Sequence, residues 1–490
     1  MALAPFFERV YGALGGHLAI SRESLTTALQ GVTVGINLGD DLRQNDIWIA
    51  EFATNLVARL YPRISITGPD VQASKLRDLA LSINPNIEFV SNIPNTTSIA
   101  VGIDATRGEL FPSASGWVAR LNHKAAKRSG PSNPYSAGSA ASFACAELFR
   151  QIFLKTSPES DISVSLLKFD RTTGAGSELK PTDLGDVLFV GAGAVGNAAL
   201  WALGRDKKLR GKITVVDPEA VELSNLQRYV LAQNVDIGNA KTKVAERALK
   251  GTKLKVKLAQ LKLDRFAETP KNRKIPTTVV SIDNVEGRRT AQALLPRLVI
   301  NGWTGDHGLG SSWHVFSHDA ACLACLYHPH AQGISATEQA AKALGLTPDR
   351  AALLWVTHQP LSDTDIHTAA EALGVKESLL NPWRGKYLGD FYTDVVCGAV
   401  PLDITGVGRV EMVPLAHQSA LAGLLMAAEL LKRTQTSLEK LSQRETLISW
   451  DDVIRPPPSI WKKPRPREPG CICGDEIYQS VYRKKWRLLS

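Results

Sequence analysis

The residues able to do chemistry fall into two sets. The first begins with GAGAVG at 191–196, where Gly191, Gly193 and Gly196 form a G-x-G-x-x-G turn. Glycines there let backbone amides and the following helix N-terminus approach phosphate oxygens. Dehydrogenases use such a turn as readily as ATP enzymes do. Asp217, 21 residues after Gly196, suits a ribose hydroxyl pair and leaves NAD and ATP equal. Asn225, Arg228, Lys241 and Asp283 separate them. Hydride transfer has no use for cations gathered beside phosphates, whereas attack on an α-phosphate builds charge on the departing pyrophosphate that such cations offset. An aspartate closing a strand at the carboxyl edge of a sheet, as Asp283 does, is placed for Mg²⁺.

The second set is the six cysteines. In a reducing compartment they read as metal or catalytic thiols before disulfides. Cys322-x-x-Cys325 and Cys471-x-Cys473 offer the four soft ligands of a tetrahedral zinc, with His328 and His330 as substitute ligands. Cys145 sits in an Ala-rich helical pattern and reads as a small buried hydrophobe. Cys397, in DVVCGAVPL, lies outside any helical period, either as a nucleophile or as a structural thiol.

GAGAVG, the run D-P-E-x-V-E-x-S-N-L-x-R at 217–228, Lys241 and D-N-x-x-x-R at 283–288 together resemble the ThiF/MoeB/ubiquitin-activating E1 family. The whole chain most resembles the E1 proteins of bacterial ubiquitin-like conjugation operons, antiphage ones included. By that likeness the three glycines cradle ATP and Asp217 binds its ribose. Asn225, Arg228 and Lys241 meet the phosphates, Asp283 holds magnesium, and Asn284 and Arg288 support the site. The likeness also implies a structural zinc on the four paired cysteines, although C-x-C stands where C-x-x-C is commoner. Cys397 falls where family members take the activated chain as a thioester or form a persulfide link. An arginine from a paired inactive half often completes such a site; Arg9, 26 residues before Gly35, is the candidate, with Arg22 and Arg43 as competitors. Tyr229 replaces the usual glutamine after Arg228, a departure expected to bear on local packing more than on catalysis. The resulting expectation is an E1-like enzyme that adenylates the terminal Gly of a ubiquitin-like protein and captures it on Cys397. It then hands the chain to an E2-like enzyme. The alternative is a sulfur-carrier-protein adenylyltransferase without conjugation.

These residues need a frame. DVLFV (186–190), the turn, helical NAALWAL, ITVVD (213–217) and TTVVSIDN (277–284) spell the βαβ units of a doubly wound parallel sheet. The first half repeats this faintly: VTVGINLGD (32–40), ISITG (64–68), TTSIAVGID (96–104), and Gly116–Trp117 echoing Gly302–Trp303. Each half closes with a small-residue amphipathic helix, at 136–152 and 417–433. Asn37 and Asp40 are read as replacing the second and third glycines of a turn at 35–40, where a carboxylate would repel phosphate. The expected α/β fold is thus two pseudo-repeated Rossmann-like doubly wound domains, the first degenerate, with a structural zinc site; chance likeness of two α/β sheets is the other reading. Residues 1–170 form the inactive adenylation-like domain, 171–185 a linker and 186–454 the active domain, with 326–396 a crossover lid or a plain insertion. Residues 455–490 are a Pro-rich basic tail.

Composition agrees with a globular chain of more than one domain: 490 residues, 44% hydrophobic and 21% charged. The net charge of +9 is concentrated, because residues 455–490 hold nine Lys/Arg against three Asp/Glu. The rest is near neutral, which argues against a nucleic-acid surface. No apolar run reaches the roughly 18–20 residues that cross a bilayer, and MALAPFFERV lacks a signal-peptide pattern. A cytoplasmic protein without membrane or nucleic-acid partners is expected, and a homodimer is compatible with the resemblance.

Overall fold

In the first half of the chain, short apolar runs alternate with amphipathic helices and form parallel strands. These are β1 (Val34–Leu38), β2 (Arg63–Thr67), β3 (Glu88–Phe89) and β4 (Thr97–Val101), in the order β3-β2-β1-β4. The helices Gln44–Val57 and Asp70–Ile83 are the crossovers. β4 is buried along its whole length, as a strand covered on both faces must be. An antiparallel sheet follows: β5 (Phe111–Ser115), β6 (Val118–Asn122), β7 (Ile162–Ser165) and β8 (Asp170–Arg171). The structure is a computed structural model. It describes residues 3–11, 22–91, 96–105, 107–125, 130–155, 161–305, 308–316, 320–328, 336–391, 414–434, 447–450 and 466–488.

The second half builds a larger sheet from β9 (Thr182–Val190), β10 (Leu209–Val216), β11 (Lys253–Ala259), β12 (Thr277–Val280), β13 (Leu298–Gly305), β14 (Gly308–His314) and β15 (Leu447–Trp450). Their order is β11-β10-β9-β12-β13-β14-β15, parallel up to β13 and antiparallel beyond. The chain leaves β9 to β10 on one side and returns to β12 on the other. The carboxyl end of β9 is therefore the switch point at which α/β sheets bind ligands. The first four parallel strands repeat the order of β3-β2-β1-β4 in the first half. β11 and β3 were not anticipated.

The halves share a core. Phe52 packs on Trp201 at 4.3 Å between ring centroids, and Tyr135 Oη donates to Asp206 Oδ2 at 3.2 Å. Arg205 stacks over Trp201 at 4.1 Å and pairs with Glu51. The expected closing helices exist as Pro134–Phe149 and Ala416–Thr434. The second meets the helix Ala194–Arg205 so closely that a Cβ on Gly423 would lie 2.1 Å from Val195 O.

The chain divides into two compact units, one of Met1–Tyr11, Ile20–Leu326 and Pro414–Ser490, the other of Gly12–Ala19 and Tyr327–Val413. Both halves' sheets belong to the first. The second has a helical core of its own, in which Leu354, Ile366, Leu380, Trp383 and Phe391 pack together. Ser362 and Asp365 form a capping box there, and Arg350 grips Asp365 with two hydrogen bonds of 2.9 and 2.7 Å. Among the described residues no helix is long and apolar enough to cross a membrane.

Candidate functional site

At the end of β9 the chain turns through Gly191, whose φ of +92° excludes most side chains. Gly196 permits close packing, since a Cβ there would lie 2.4 Å from Gly191 O. The middle glycine differs. A Cβ on Gly193 would meet only Tyr229 Oη at 3.5 Å and Ser281 O at 4.0 Å, both ordinary contacts, so protein packing does not by itself require a glycine there. Gly193 then caps the helix Ala194–Arg205 without a side-chain partner for the first-turn amides.

Three side chains brace this turn. Asn197 Nδ2 donates to Ala192 O and Gly193 O at 2.6 and 3.1 Å, while its Oδ1 accepts from Leu231 N at 3.1 Å. Ser281 Oγ donates to Gly191 O at 2.7 Å. Asp217, just past β10, accepts from Ala192 N at 2.7 Å and from Glu219 N at 2.9 Å. Burial pushes the Asp217 carboxyl up, against the pull of those amides and of Lys241. Neither Asn197 nor Ser281 was expected. The only signal for Asn197 was an amide following the third glycine.

Lys241 opens the helix Lys241–Leu249 and is 4% exposed. Its ammonium pairs with Glu219, donates to Tyr229 Oη at 3.0 Å and lies 5.0 Å from the Tyr229 ring centroid. Burial opposes that charge, but Tyr229, Glu219 and Asp217 outweigh it and hold the ammonium above its ordinary range. Besides packing, the Tyr229 hydroxyl lies between the lysine, 3.0 Å away, and the middle glycine, where an added Cβ would be 3.5 Å from it. Arg228 lies half-buried beside it, 5.9 Å from the ring. Asn225 Oδ1 accepts from Glu222 N at 3.0 Å, closing the short 3₁₀ turn Leu223–Gln227.

Beyond β12, Asp283 is exposed, and Asn284 caps the helix Val285–Ala293 by accepting from Gly287 N at 2.7 Å. Arg288 is buried and hydrogen-bonds Asn301 and, at 3.4 Å, Gly302 O, so it braces β13. Arg9 is half-buried in the helical turn 7–11. Of its competitors, Arg22 pairs through its side chain with Glu8 within the first half, and Arg43 precedes the helix Gln44–Val57, where its backbone amide donates to Asp46 at 3.0 Å.

The four paired cysteines converge. Their sulfurs lie within 4.8 Å of one another, with Cys322 at 3.7 Å from Cys471 and 4.0 Å from Cys325, and Cys325 at 3.4 Å from Cys473. Bonds of about 2.3 Å to a tetrahedral zinc place thiolates about 3.8 Å apart, so the set fits that ion. It does not fit disulfides, which need about 2.05 Å. Hydrogen bonds from Cys322, Cys325 and Cys473 push the Cys471 thiol down, and Glu468 N donates to Cys325 Sγ at 3.5 Å. His328 is outside the group of four, and His330 lies outside the described residues. Cys145 is 6% exposed, and burial pushes its thiol well up. Cys397 lies outside the described residues.

The equivalent place in the first half is displaced from its expected position. Gly35 and Asn37 lie inside β1, so the turn begins four residues later, at Gly39. The mouth of this turn is filled from within: Asp104 Oδ2 accepts from Asp40 N at 3.0 Å and Asp41 N at 3.3 Å. A Cβ on Gly39 would lie 2.0 Å from Asp104 Oδ1. The protein's own carboxylate takes the amides that a phosphate would use.

Comparison with known proteins follows the same division. The ThiF family matches residues 171–453, and the prokaryotic E2 family C matches residues 46–154. The second match falls on the half expected from the sequence to be an inactive adenylation-like domain. Uncharacterized protein y4jF of Sinorhizobium fredii is 35% identical over 458 residues, covering 89% of this chain and 87% of that protein. Crystal structures of E. coli MccB are more distant. With ATP bound it is 16% identical over 60% of this chain and 66% of that one, at a TM-score of 0.35. With MccA-N7isoASN the figures are 18%, 59%, 67% and 0.36. A third, with AMPCPP and selenomethionine MccA, is spanned over 43% of its length, at a TM-score of 0.25.

Proposed function

This chain belongs to the ThiF family, and on that premise we propose that it is an ATP-dependent activating enzyme for a ubiquitin-like protein ending in Gly. The observation that carries the reading is the buried Lys241 ammonium, held by Tyr229 beside the bare Gly193 at the switch point. There it would meet phosphate oxygens in a setting where a fixed charge is worth far more than in water. The partner's terminal carboxylate attacks the α-phosphorus. A new P–O bond forms, the bond to the bridging oxygen breaks, and pyrophosphate leaves with the electron pair. Lys241, Arg228 and Asn225 stabilise the departing charge, and Asp217 orients the ribose. Asp283 would hold Mg²⁺, which supplies further charge on the pyrophosphate oxygens.

In the second step the Cys397 thiolate attacks the acyl carbon, forming the C–S bond and releasing AMP. The unit that carries Cys397 is proposed to guide the partner's tail. Transfer then goes to a separate E2-like protein. Cys145 is the only cysteine within 46–154, and its burial keeps it from serving as an acceptor inside this chain. The structural zinc and the completing role of Arg9 belong to the same proposal.

ATP–pyrophosphate exchange with Gly-ended ubiquitin-like proteins tests the first step. Exchange in the wild type that is lost in Asp283→Ala is expected; no exchange with any such partner sinks the reading.

A further inference from the structure

The loop 226–232 carries Arg228 and Tyr229, yet its carbonyls are held largely from the other half of the chain. Asn55 Nδ2 donates to Val230 O at 2.9 Å. Arg59, 1% exposed, donates through one terminal nitrogen to Leu226 O and through the other to Ala232 O at 3.1 Å. Arg59 Nε closes the set on Asn55 Oδ1 at 3.0 Å. From the opposite side Asn197, already tied to Ala192 O and Gly193 O, accepts from Leu231 N. The loop is thus clamped between the glycine turn and the end of the helix Gln44–Val57.

We propose that Asn55 and Arg59 are positioning residues of the nucleotide site, setting where Arg228 and the Tyr229–Lys241 pair meet the phosphates. This rests on the adenylation reading above and gives the segment matching the prokaryotic E2 family a definite task within it. The chemistry suits the task. A guanidinium presents donors in a rigid fork, and here its two terminal nitrogens each hold a different carbonyl, those of Leu226 and Ala232, while Nε holds Asn55. A cation this deeply buried persists only because its hydrogen bonds are made, so the loop cannot shift without leaving that charge unsatisfied. Burial alone pushes the guanidinium down to about 9. Two anchors on Leu226 and Ala232 and a third on Val230 fix the loop on both sides of Tyr229, whose hydroxyl reaches Lys241.

The test measures MgATP affinity by calorimetry, the KM and kcat of ATP–pyrophosphate exchange, and hydrogen exchange of the 226–232 amides. It is run on the full chain as wild type, Asn55→Ala, Arg59→Lys and Cys145→Ala. Asn55→Ala removes one anchor, and Arg59→Lys keeps the charge but loses the fork. In both we expect faster amide exchange confined to 226–232 and a loss of kcat on the order of 10- to 100-fold, the scale of small misplacements in a site. Cys145→Ala, a core change in the same half, leaves all three readouts unchanged. Asn55→Ala combined with Tyr229→Phe loses no more than the worse single variant, because both act through one loop. Should Arg59→Lys fail to fold, Asn55→Ala and the double variant decide. Wild-type affinity and exchange in Asn55→Ala, with ATP bound normally by the wild type, overturn this inference alone. A wild type that binds no ATP overturns it together with the proposed function.

Discussion

Lys241 keeps its charge where a lysine is costly, and the three groups around it explain how. Glu219 pairs with the ammonium, Tyr229 offers both a hydroxyl and a ring face, and Asp217 adds a carboxylate nearby. Two outcomes follow if that ammonium meets the pyrophosphate. Lys241→Met should lower exchange by about 10²–10³, the scale seen when one electrostatic donor is removed from a preorganised site. Tyr229→Phe, which deletes one hydrogen bond worth about 1 kcal/mol, should cost only about 5-fold in kcat/KM. Equal losses in both variants would show that the tyrosine does chemistry rather than holding the lysine. The thiols divide as sharply. The buried Cys145 should make no adduct, so a reducible high-mass species should persist in Cys145→Ala and vanish in Cys397→Ala. Its survival in Cys397→Ala would place the nucleophile elsewhere. Gly191, Asp217, Arg228 and Lys241 were legible in the sequence because the fold fixes their spacing from a turn. Tyr229 and Glu219 gained their roles only through Lys241, because no spacing rule reports what surrounds an ammonium.

At the scale of elements, the cysteine cluster ties the C-terminal helix Glu476–Trp486 to the nucleotide half. Lys485 and Trp486 donate to Leu295 O at 3.1 and 2.8 Å, just beyond the helix whose N-cap adjoins Asp283. Zinc close to one atom per chain is expected, with its loss in Cys471→Ser and a lower Tm; unchanged zinc content would refute the four-sulfur site. The closing helix Ala416–Thr434 depends on Glu429, fully buried between Lys432 and Arg433. Burial pushes this carboxyl up, but the two cations outweigh it and hold it below its ordinary value. A depressed carboxylate contributes stability above its unfolded pKa of about 4.3 and loses it as pH falls through the folded value. Glu429→Gln should therefore cost about 3–5 kcal/mol at neutral pH, because two cations lose their partner. The deficit relative to wild type should shrink in acid, and a pH-independent deficit in denaturant melts would refute the ion cluster. The strand β11 could have been read from its alternation of lysine and apolar residues in KLKVKLA. That is the pattern of an exposed sheet edge defended by charge.

Over the whole molecule the two halves are unequal by construction. At one switch point no side chain caps the helix that starts after Gly193, while the corresponding turn at Gly39 is occupied by Asp104. Calorimetry should accordingly find one MgATP per chain; two sites of comparable affinity would contradict the unequal halves. The amino-acid sequence alone determined the parallel α/β framework, the nucleotide turn, the order of charged residues after it and the pairing of cysteines. These are local periods and short spacings, and a strand–turn–helix unit enforces them wherever it occurs. Three matters were decided only in three dimensions. The first-half turn begins at Gly39 because β1 runs on through Gly35 and Asn37, and a strand's end depends on how far its neighbours pair with it. Asp104 closes that turn from a distant segment. Asn55 and Arg59 secure a loop that lies more than 160 residues away. Hydrogen bonds between segments so far apart leave no period and no spacing in the chain, because their partners become neighbours only when the sheets pack.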